Sequence, residues 1–268
     1  MDRNTNALIE IQGVAAEVFG TLDTGRQIEP FSSRISSFNL DCAYRVTAVV
    51  RKMREIRGEL PVGRKIGFTN RTIWPRYGVY EPIWGTVYDR TMLRAVDNFA
   101  RVPLAGLVNP RIEPEICFCL RASPEGHTLA DAIEWMAHSI EIVQCHHPAW
   151  KLTLPDSTAD NGLHGRLIVG TPAPLPPDAR SVLARVEVKL LRGGKLVDKG
   201  VGANVLGNPL AALEHLIAVL RSGAARPLAP GEIITTGVMT DAHPVAAGER
   251  WSTQLSGAAL AGLTVEFT

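Results

Sequence analysis

Cysteine is scarce in this 268-residue chain: four residues, at 42, 117, 119 and 145, with no CxxC pair among them. That spacing argues against a disulfide framework and against a structural zinc site, whose thiolates usually stand two to four residues apart. Reduced thiols in a reducing compartment are expected, with Cys117 and Cys119 as small buried filler. Net charge is also lacking, since 28 Lys and Arg stand against 27 Asp and Glu, and no basic block carries interleaved aromatics. Nucleic acid and anionic membrane are therefore excluded as expected partners. No apolar run approaches the roughly 20 residues that span a bilayer. The first six residues lack the hydrophobic core of a signal peptide, so a cytoplasmic location is expected. No internal repeat, low-complexity tract or clear linker divides the chain, which is long enough to bury a sizeable core as one β-rich body with a helical cap.

What is present centres on Ile112-Glu113-Pro114-Glu115-Ile116-Cys117-Phe118-Cys119-Leu120. Apolar residues alternate at 112, 116, 118 and 120, as on a strand. Glu113 and Glu115 then project together on the other face, about 6–7 Å apart. Like charges held so close disfavour each other's ionisation. Either the strand is an edge with its acids in water, or a hard divalent cation such as Mg²⁺, Mn²⁺ or Ca²⁺ neutralises them.

Around this strand the pattern predicts an amphipathic helix from about 6 to 20 and a second from about 40 to 57, with Leu40, Tyr44, Thr47, Val50 and Met53 at helical spacing. A strand follows at Gly63 to Asn70, carrying Lys65 within an apolar run; an ammonium there either snorkels from an edge or serves a site. The Pro-, Gly- and aromatic-rich stretch from Trp74 to Gly85 reads as a loop that lids a pocket, packs passively or meets another subunit. Thr128 to Asp131 caps a helix whose apolar residues are Leu129, Ile133, Met136 and Ile140, with His138 at its surface or at a core edge. Strand composition takes over at Ser139 to Cys145. There Glu141, between two isoleucines, is a third carboxylate on an apolar strand, which favours the metal reading of the first two. His146 and His147 lie either in a polar loop or beside the site, one of them at most sharing a face with Glu141. Asp156 to Gly165 reads as a polar loop leading into a buried strand at 166–170. A Gly-Gly hairpin at 186–197, a helix capped by Asn208-Pro209, a strand at 231–238 and two C-terminal strands complete the chain. Gly200 to Gly207 lacks the GxGxxG spacing and the βαβ setting, which rejects nucleotide binding.

Five segments in order, Gly63-Arg64-Lys65-Ile66-Gly67-Phe68-Thr69, Ile112-Glu113-Pro114-Glu115-Ile116, Glu141-Ile142-Val143, Ala159-Asp160-Asn161 and Leu206-Gly207-Asn208-Pro209, resemble the 2-keto-4-pentenoate hydratase/4-oxalocrotonate decarboxylase family of the fumarylacetoacetate hydrolase superfamily. The resemblance implies an α+β fold, a mixed β-sandwich or roll over 61–268 preceded by a helical segment over 1–60. It implies Mg²⁺ or Mn²⁺ held by Glu113, Glu115 and Glu141, with Lys65 as the active-site lysine. It further implies a small 2-oxo acid or 2-hydroxy-dienoate substrate and a homo-oligomeric assembly. Asp160, Asn161 and Trp84 are the expected substrate contacts, and His146 or His164 the expected distal acid/base. Hydration is the leading reaction. The alternatives are decarboxylation of the 4-oxalocrotonate type, C–C hydrolysis of acylpyruvates, and a non-catalytic binding protein on the same fold. The chain departs from the pattern at Gln144-Cys145-His146 after the third glutamate, at Ile83 where hydratases carry an Asp, and at Gly162-Leu163 where serines are usual.

Overall fold

A computed structural model of the protein describes residues 3–223 and 225–268; Met1 and Asp2, the start of the polar N-terminus, lie outside it. Among the described residues, the strands form two sheets. The larger, of eight strands, runs in the order Ile83–Tyr88, Pro61–Gly67, Ile233–Thr235, Arg111–Leu120, Ile133–Val143, His164–Val169, Met92–Arg94, with His243–Pro244 added beside the Arg111 end. The smaller runs Phe99–Val102, Thr264–Phe267, Arg250–Ser256, Glu187–Arg192, Lys195–Val201. Most pairs are antiparallel; Lys65 beside Thr235, Met92 beside Leu167 and Thr264 beside Phe99 mark the parallel ones.

One face of the large sheet buries Ile66, Ile116, Phe118 and Ile234 against the helices Ala179–Arg185 and Pro209–Ser222. Farther along the same strands, Ile112, Ile140, Ile142 and Ile168 pack on Leu190, Trp251, Val265 and Phe267 of the small sheet. The side chain of Asn208 accepts the Ala211 N–H and Pro209 opens the helix, so the predicted cap forms.

The N-terminal helices span Arg3–Thr21 and Leu40–Ile56. Ile11, Val14, Ala15 and Val18 of the first pack on Ala43, Val46 and Val50 of the second. The buried stripe of the second therefore lies beside the predicted one: Tyr44, Thr47 and Met53 flank it, and Arg54 is buried through its bidentate bond to Glu59. The side chains of Leu8 and Ile9, also expected on the first helix's apolar face, lie outside the described set.

Three predicted elements take other forms. The helix expected from Thr128 stops at Ala132, and Ile133–Val143 is an eleven-residue strand paired along its length with Arg111–Leu120. Local spacing fits a helix, but Arg111–Leu120 pairs along the whole strand, His164–Val169 pairs with residues 139–143, and residues 136–143 are buried on both faces, so tertiary pairing overrides propensity. His138 is accordingly a core residue. Its Nδ1 donates to the Glu115 carbonyl at 2.8 Å, its Nε2 meets Thr253 Oγ1 at 2.8 Å, and burial lowers its pKa to about 4. The expected loop at 156–165 contains instead a helix, Leu154–Ala159, and a 3-10 turn at Asn161–Leu163. The expected loop at 74–85 begins with a one-turn helix, Trp74–Tyr77, and ends inside the strand Ile83–Tyr88.

Asp156 anchors the helical segment to the sheets. Its carboxylate accepts Ser32 N at 3.0 Å, Ser32 Oγ at 2.5 Å, Thr153 N at 2.9 Å and Thr153 Oγ1 at 2.7 Å. Burial would raise its pKa, but these bonds outweigh it and hold the pKa below the ordinary value. Asp156→Ala is expected to destabilise the fold by about 2–4 kcal/mol in urea titration. Because the folded pKa is depressed, that difference should be full above about pH 4 and shrink as pH falls through the folded value.

Candidate active site

Strand alternation and register build the site. Glu113 pairs with Glu141 and Glu115 with Ser139 across two central strands, so three carboxylates meet on the face opposite the isoleucine core. One oxygen from each of Glu113, Glu115 and Glu141 lies within 4.8 Å of the others. Lys65 comes from two strands away, through Thr235. Its Nζ lies 3.1 Å from Glu141 Oε2 and donates to the Gly162 carbonyl at 2.8 Å.

Two of the three carboxylates are individually positioned by hydrogen bonds. Glu115 Oε2 accepts the Thr235 hydroxyl and the Gly237 N–H, the latter at 2.9 Å, while its Oε1 is buried with no hydrogen-bond partner. Glu141 Oε1 receives His164 Nδ1 at 2.7 Å, and His164 Nε2 meets Thr91 Oγ1 at 2.9 Å. Burial lowers the His164 pKa against the pull of Glu141, the acceptor that its Nδ1 faces.

The electrostatics are those of a charge-deficient pocket. Burial raises the Glu113 pKa to about 7 despite Lys65, and burial together with the neighbouring carboxylates raises Glu115 well above its ordinary value. Burial opposes ionisation of Glu141 too, but Lys65 and His164 outweigh it and the pKa is lowered. Lys65, desolvated yet facing three acids, is raised and remains an ammonium. Three carboxylates are thus served by one cation. An orphaned buried oxygen and a tight cluster of carboxylate oxygens fit a hard divalent cation.

The cluster opens into a cleft of about 650 Å³, counting its mouth, walled by Phe68, Val143, Leu152 and Leu163 and rimmed by Arg111, Trp150 and Asp241. Of the residues singled out in the sequence, Lys65, Glu113, Glu115, Glu141 and His164 come together; the others do not. His146 gives its Nδ1 and its backbone N–H to Asp160, at 2.6 and 3.1 Å, outside the cleft. Asn161 bonds both ways with the Thr86 backbone, at 2.8 and 2.9 Å, and so extends the edge of the Ile83–Tyr88 strand. Asp160 and Asn161 hold the turn that presents the Gly162 carbonyl to Lys65. Gly162 sits at φ +64° with room for no larger residue beside Lys65 Cδ, and a Cβ at Gly85 would lie 2.1 Å from the Asn161 carbonyl. Trp84 is placed on the opposite face of the sheet from Lys65, because Lys65 pairs with Gly85 and alternation turns Trp84 away; it stacks on Tyr44 at 5.3 Å. His164 stands behind Glu141, at the carboxylate end of the cleft. Arg111 could have been found as the next same-face residue before Glu113; Gly237, Val238 and Asp241 carried no sequence signal.

Comparison with known proteins places this geometry. No family model matches the sequence. The chain is 31% identical over 259 residues to 2-keto-4-pentenoate hydratase 2 of Dechloromonas aromatica, covering 94% of this chain and 96% of that one. It belongs to the 2-keto-4-pentenoate hydratase family. Another relative, the 2-hydroxyhexa-2,4-dienoate hydratase of Comamonas testosteroni, is 29% identical with 97% of each chain covered. Among solved structures, the 4-oxalocrotonate decarboxylase of Pseudomonas putida G7, complexed with magnesium and adipate, matches with TM-score 0.88 and 26% identity, over 100% of this chain and 99% of that one. A fumarylpyruvate hydrolase of Pseudomonas aeruginosa, in complex with Mn²⁺ and pyruvate, shares the fold at TM-score 0.59 and 12% identity, over 78% of this chain and 90% of that one. The family assignment makes the chain an enzyme of the hydratase type, with an α+β fold that it shares with these solved structures. No described helix is long and apolar enough to cross a membrane.

A carboxyl whose folded pKa is raised stabilises the fold below its unfolded pKa of about 4.3 and loses that contribution as pH rises through the folded value. For Glu113 that window runs from about 4.3 to about 7, and Glu115, raised well above its ordinary value, acts in the same direction. Metal-free protein is therefore expected to melt at lower temperature at about pH 8 than at about pH 5.5. Mg²⁺ should raise the Tm by several degrees at the higher pH and little at the lower one. A Tm indifferent to Mg²⁺ at high pH, measured by scanning calorimetry, would count against a metal site.

Proposed function

We propose that this enzyme adds water to a 2-hydroxy-2,4-dienoate, the enol of a 2-oxo-4-enoate. The observation that carries the reading is a buried lysine ammonium aimed at three clustered carboxylates at the inner end of a cleft. Glu113, Glu115 and Glu141 would hold Mg²⁺ or Mn²⁺, which when bound supplies Lewis-acid charge for the substrate's carboxylate and 2-oxygen.

The protein's own groups do the rest. Lys65 has three protons: one is given to Gly162 and one points at Glu141, which leaves the third for the 2-oxygen of the substrate. Fixed positive charge beside that oxygen stabilises the enolate in a dry site. The enol proton leaves the 2-hydroxyl as C5 is protonated; water then adds across C3=C4, hydroxyl to C4 and hydrogen to C3, giving a 4-hydroxy-2-oxo acid. His164 keeps Glu141 ionised and oriented. Asp241 is the carboxylate on the cleft rim outside the cluster, and it is assigned the orienting of water. That role passes to it from His146, which lies outside the cleft with its Nδ1 on Asp160, and from His164, whose Nδ1 and Nε2 are taken by Glu141 and Thr91.

One observation favours a second reaction, decarboxylation of 4-oxalocrotonate. Ile83, buried, turns its side chain to the Lys65 side of the sheet, where the hydratase pattern has an acid. Loss of CO₂ uses the same enolate sink and needs no activated water. The test supplies 2-hydroxypenta-2,4-dienoate and 4-oxalocrotonate to Mg²⁺-loaded enzyme, following dienol absorbance and released CO₂. Dienol loss without CO₂ is expected; CO₂ release with no hydration would reverse the order. Lys65→Ala should lower kcat about a hundredfold to a thousandfold in either reaction. Asp241→Asn should lower hydration by more than about tenfold, and an undiminished rate would remove it from the mechanism.

A further inference from the structure

The alternation that sends Lys65 toward the carboxylates sends its neighbour Arg64 to the opposite face of the large sheet. On that face Arg64 pairs with Thr86, and Ile66 with Trp84, across the adjoining strand. The Arg64 side chain has no exposed surface, yet its guanidinium is poorly served. Nη1 donates to the Gly63 carbonyl at 3.2 Å and stands 3.5 Å from Glu232 Oε1, a long ion pair. Nε and Nη2 have no hydrogen-bond partner, and neither has Glu232 Oε2, so the pair is loose on both sides. Burial lowers the Arg64 pKa; Glu232 opposes this, while Arg51 and Arg226 add to it. An arginine keeps its charge even so, and the N–H groups on those two nitrogens are buried without an acceptor. Buried donors left unmade are costly, and an anion would satisfy them.

A groove of about 380 Å³ adjoins this position. Trp84 and Thr86 belong to its lining, with the helix Leu40–Ile56 on one side and the end of Pro209–Ser222 on the other. Arg64 commits Nη1 toward the strand Ile233–Thr235, while its guanidinium carbon lies 5.6 Å from the centre of the Trp84 ring, on the groove side. Arg45, Arg51 and Arg226 also line the groove, against one lining acid, Asp41. Arg51 gives its Nε to Glu55 at 2.9 Å, and Arg226 is exposed. The rest of the wall is largely apolar, with the stacked Trp84 and Tyr44 rings facing Ala48, Val219 and Leu220. A guanidinium fork suits a carboxylate or similar oxyanion, and the volume and apolar wall suit a small organic body attached to it.

We propose that this groove is a ligand site separate from the cleft, which takes a small organic acid with its anionic head at Arg51, Arg64 and Arg226 and its apolar body on Trp84 and Leu220. The site is independent of the reaction proposed for the cleft. The probe is 2-naphthalenesulfonate, because a sulfonate keeps the charge but is a weak ligand for a hard divalent cation. In calorimetric titration of Mg²⁺-loaded enzyme at low salt, it should bind one per chain. It should bind about tenfold or more tightly than sulfate, which lacks the apolar body, or 2-naphthalenemethanol, which lacks the charge. Arg226→Glu should weaken it about fivefold or more. Arg64→Met combined with Glu232→Gln removes both members of the loose pair and should weaken it about tenfold or more. Arg226→Glu alters an exposed side chain, so it carries the test even where the double variant fails to fold. Glu115→Gln, in the cleft, should leave the constant unchanged. Absence of saturable binding, equal binding of the neutral alcohol, or a constant untouched by Arg226→Glu overturns the proposal. Loss of binding in Glu115→Gln places the probe in the cleft and overturns it as well.

Discussion

Three carboxylates and one ammonium share a space from which water is excluded, and most of the active-site architecture answers to that mismatch. A lone buried carboxylate costs several kcal/mol unless it is paired or protonated. Here Lys65 and His164 keep Glu141 ionised, while Glu113 and Glu115 are pushed toward their protonated forms. The cluster is held by hydrogen bonds from Thr235, Gly237 and His164, so its geometry precedes any cation it would take. Such preorganisation makes fixed charge effective in catalysis, because little has to move when the substrate's own charge develops.

Adjacent strands supply the pieces, and the sheet's other face explains why they stay in place. Ile112, Ile116, Ile140 and Ile142 alternate with the glutamates and are sealed against the small sheet and two helices. A slip of one residue in register would bury the acids in that core and expose the isoleucines. His138 adds a second lock: it bonds the Glu115 carbonyl on one side and Thr253 of the small sheet on the other, fixing the Arg111–Leu120 strand to the sandwich.

Much of the site was legible because period-two alternation survives without knowledge of the fold. Glu113, Glu115 and Glu141 stood out as acids in apolar strands, and Lys65 as a cation in another. The failures have physical causes. Leu129 to Ile140 satisfies helical spacing as well as strand burial on both faces, and only the partner strand decides between them. Asp160, Asn161 and His146 are polar residues in a turn, a composition that suits substrate contact and loop construction equally; in the structure their hydrogen bonds close on the protein itself.

The sequence by itself determined which side chains share a face, since alternation is a property of the extended backbone, and with it the acid cluster, the helix caps and the family. Tertiary structure decided which faces meet. It set Glu141 opposite Glu113, brought Lys65 in across Thr235, turned Trp84 away from the cleft and His164 to the back of Glu141, and ran an apolar wall outward from the carboxylates. Those outcomes depend on strand order and on contacts between residues as distant in sequence as 65 and 162, which the burial of the whole chain fixes and no local pattern encodes.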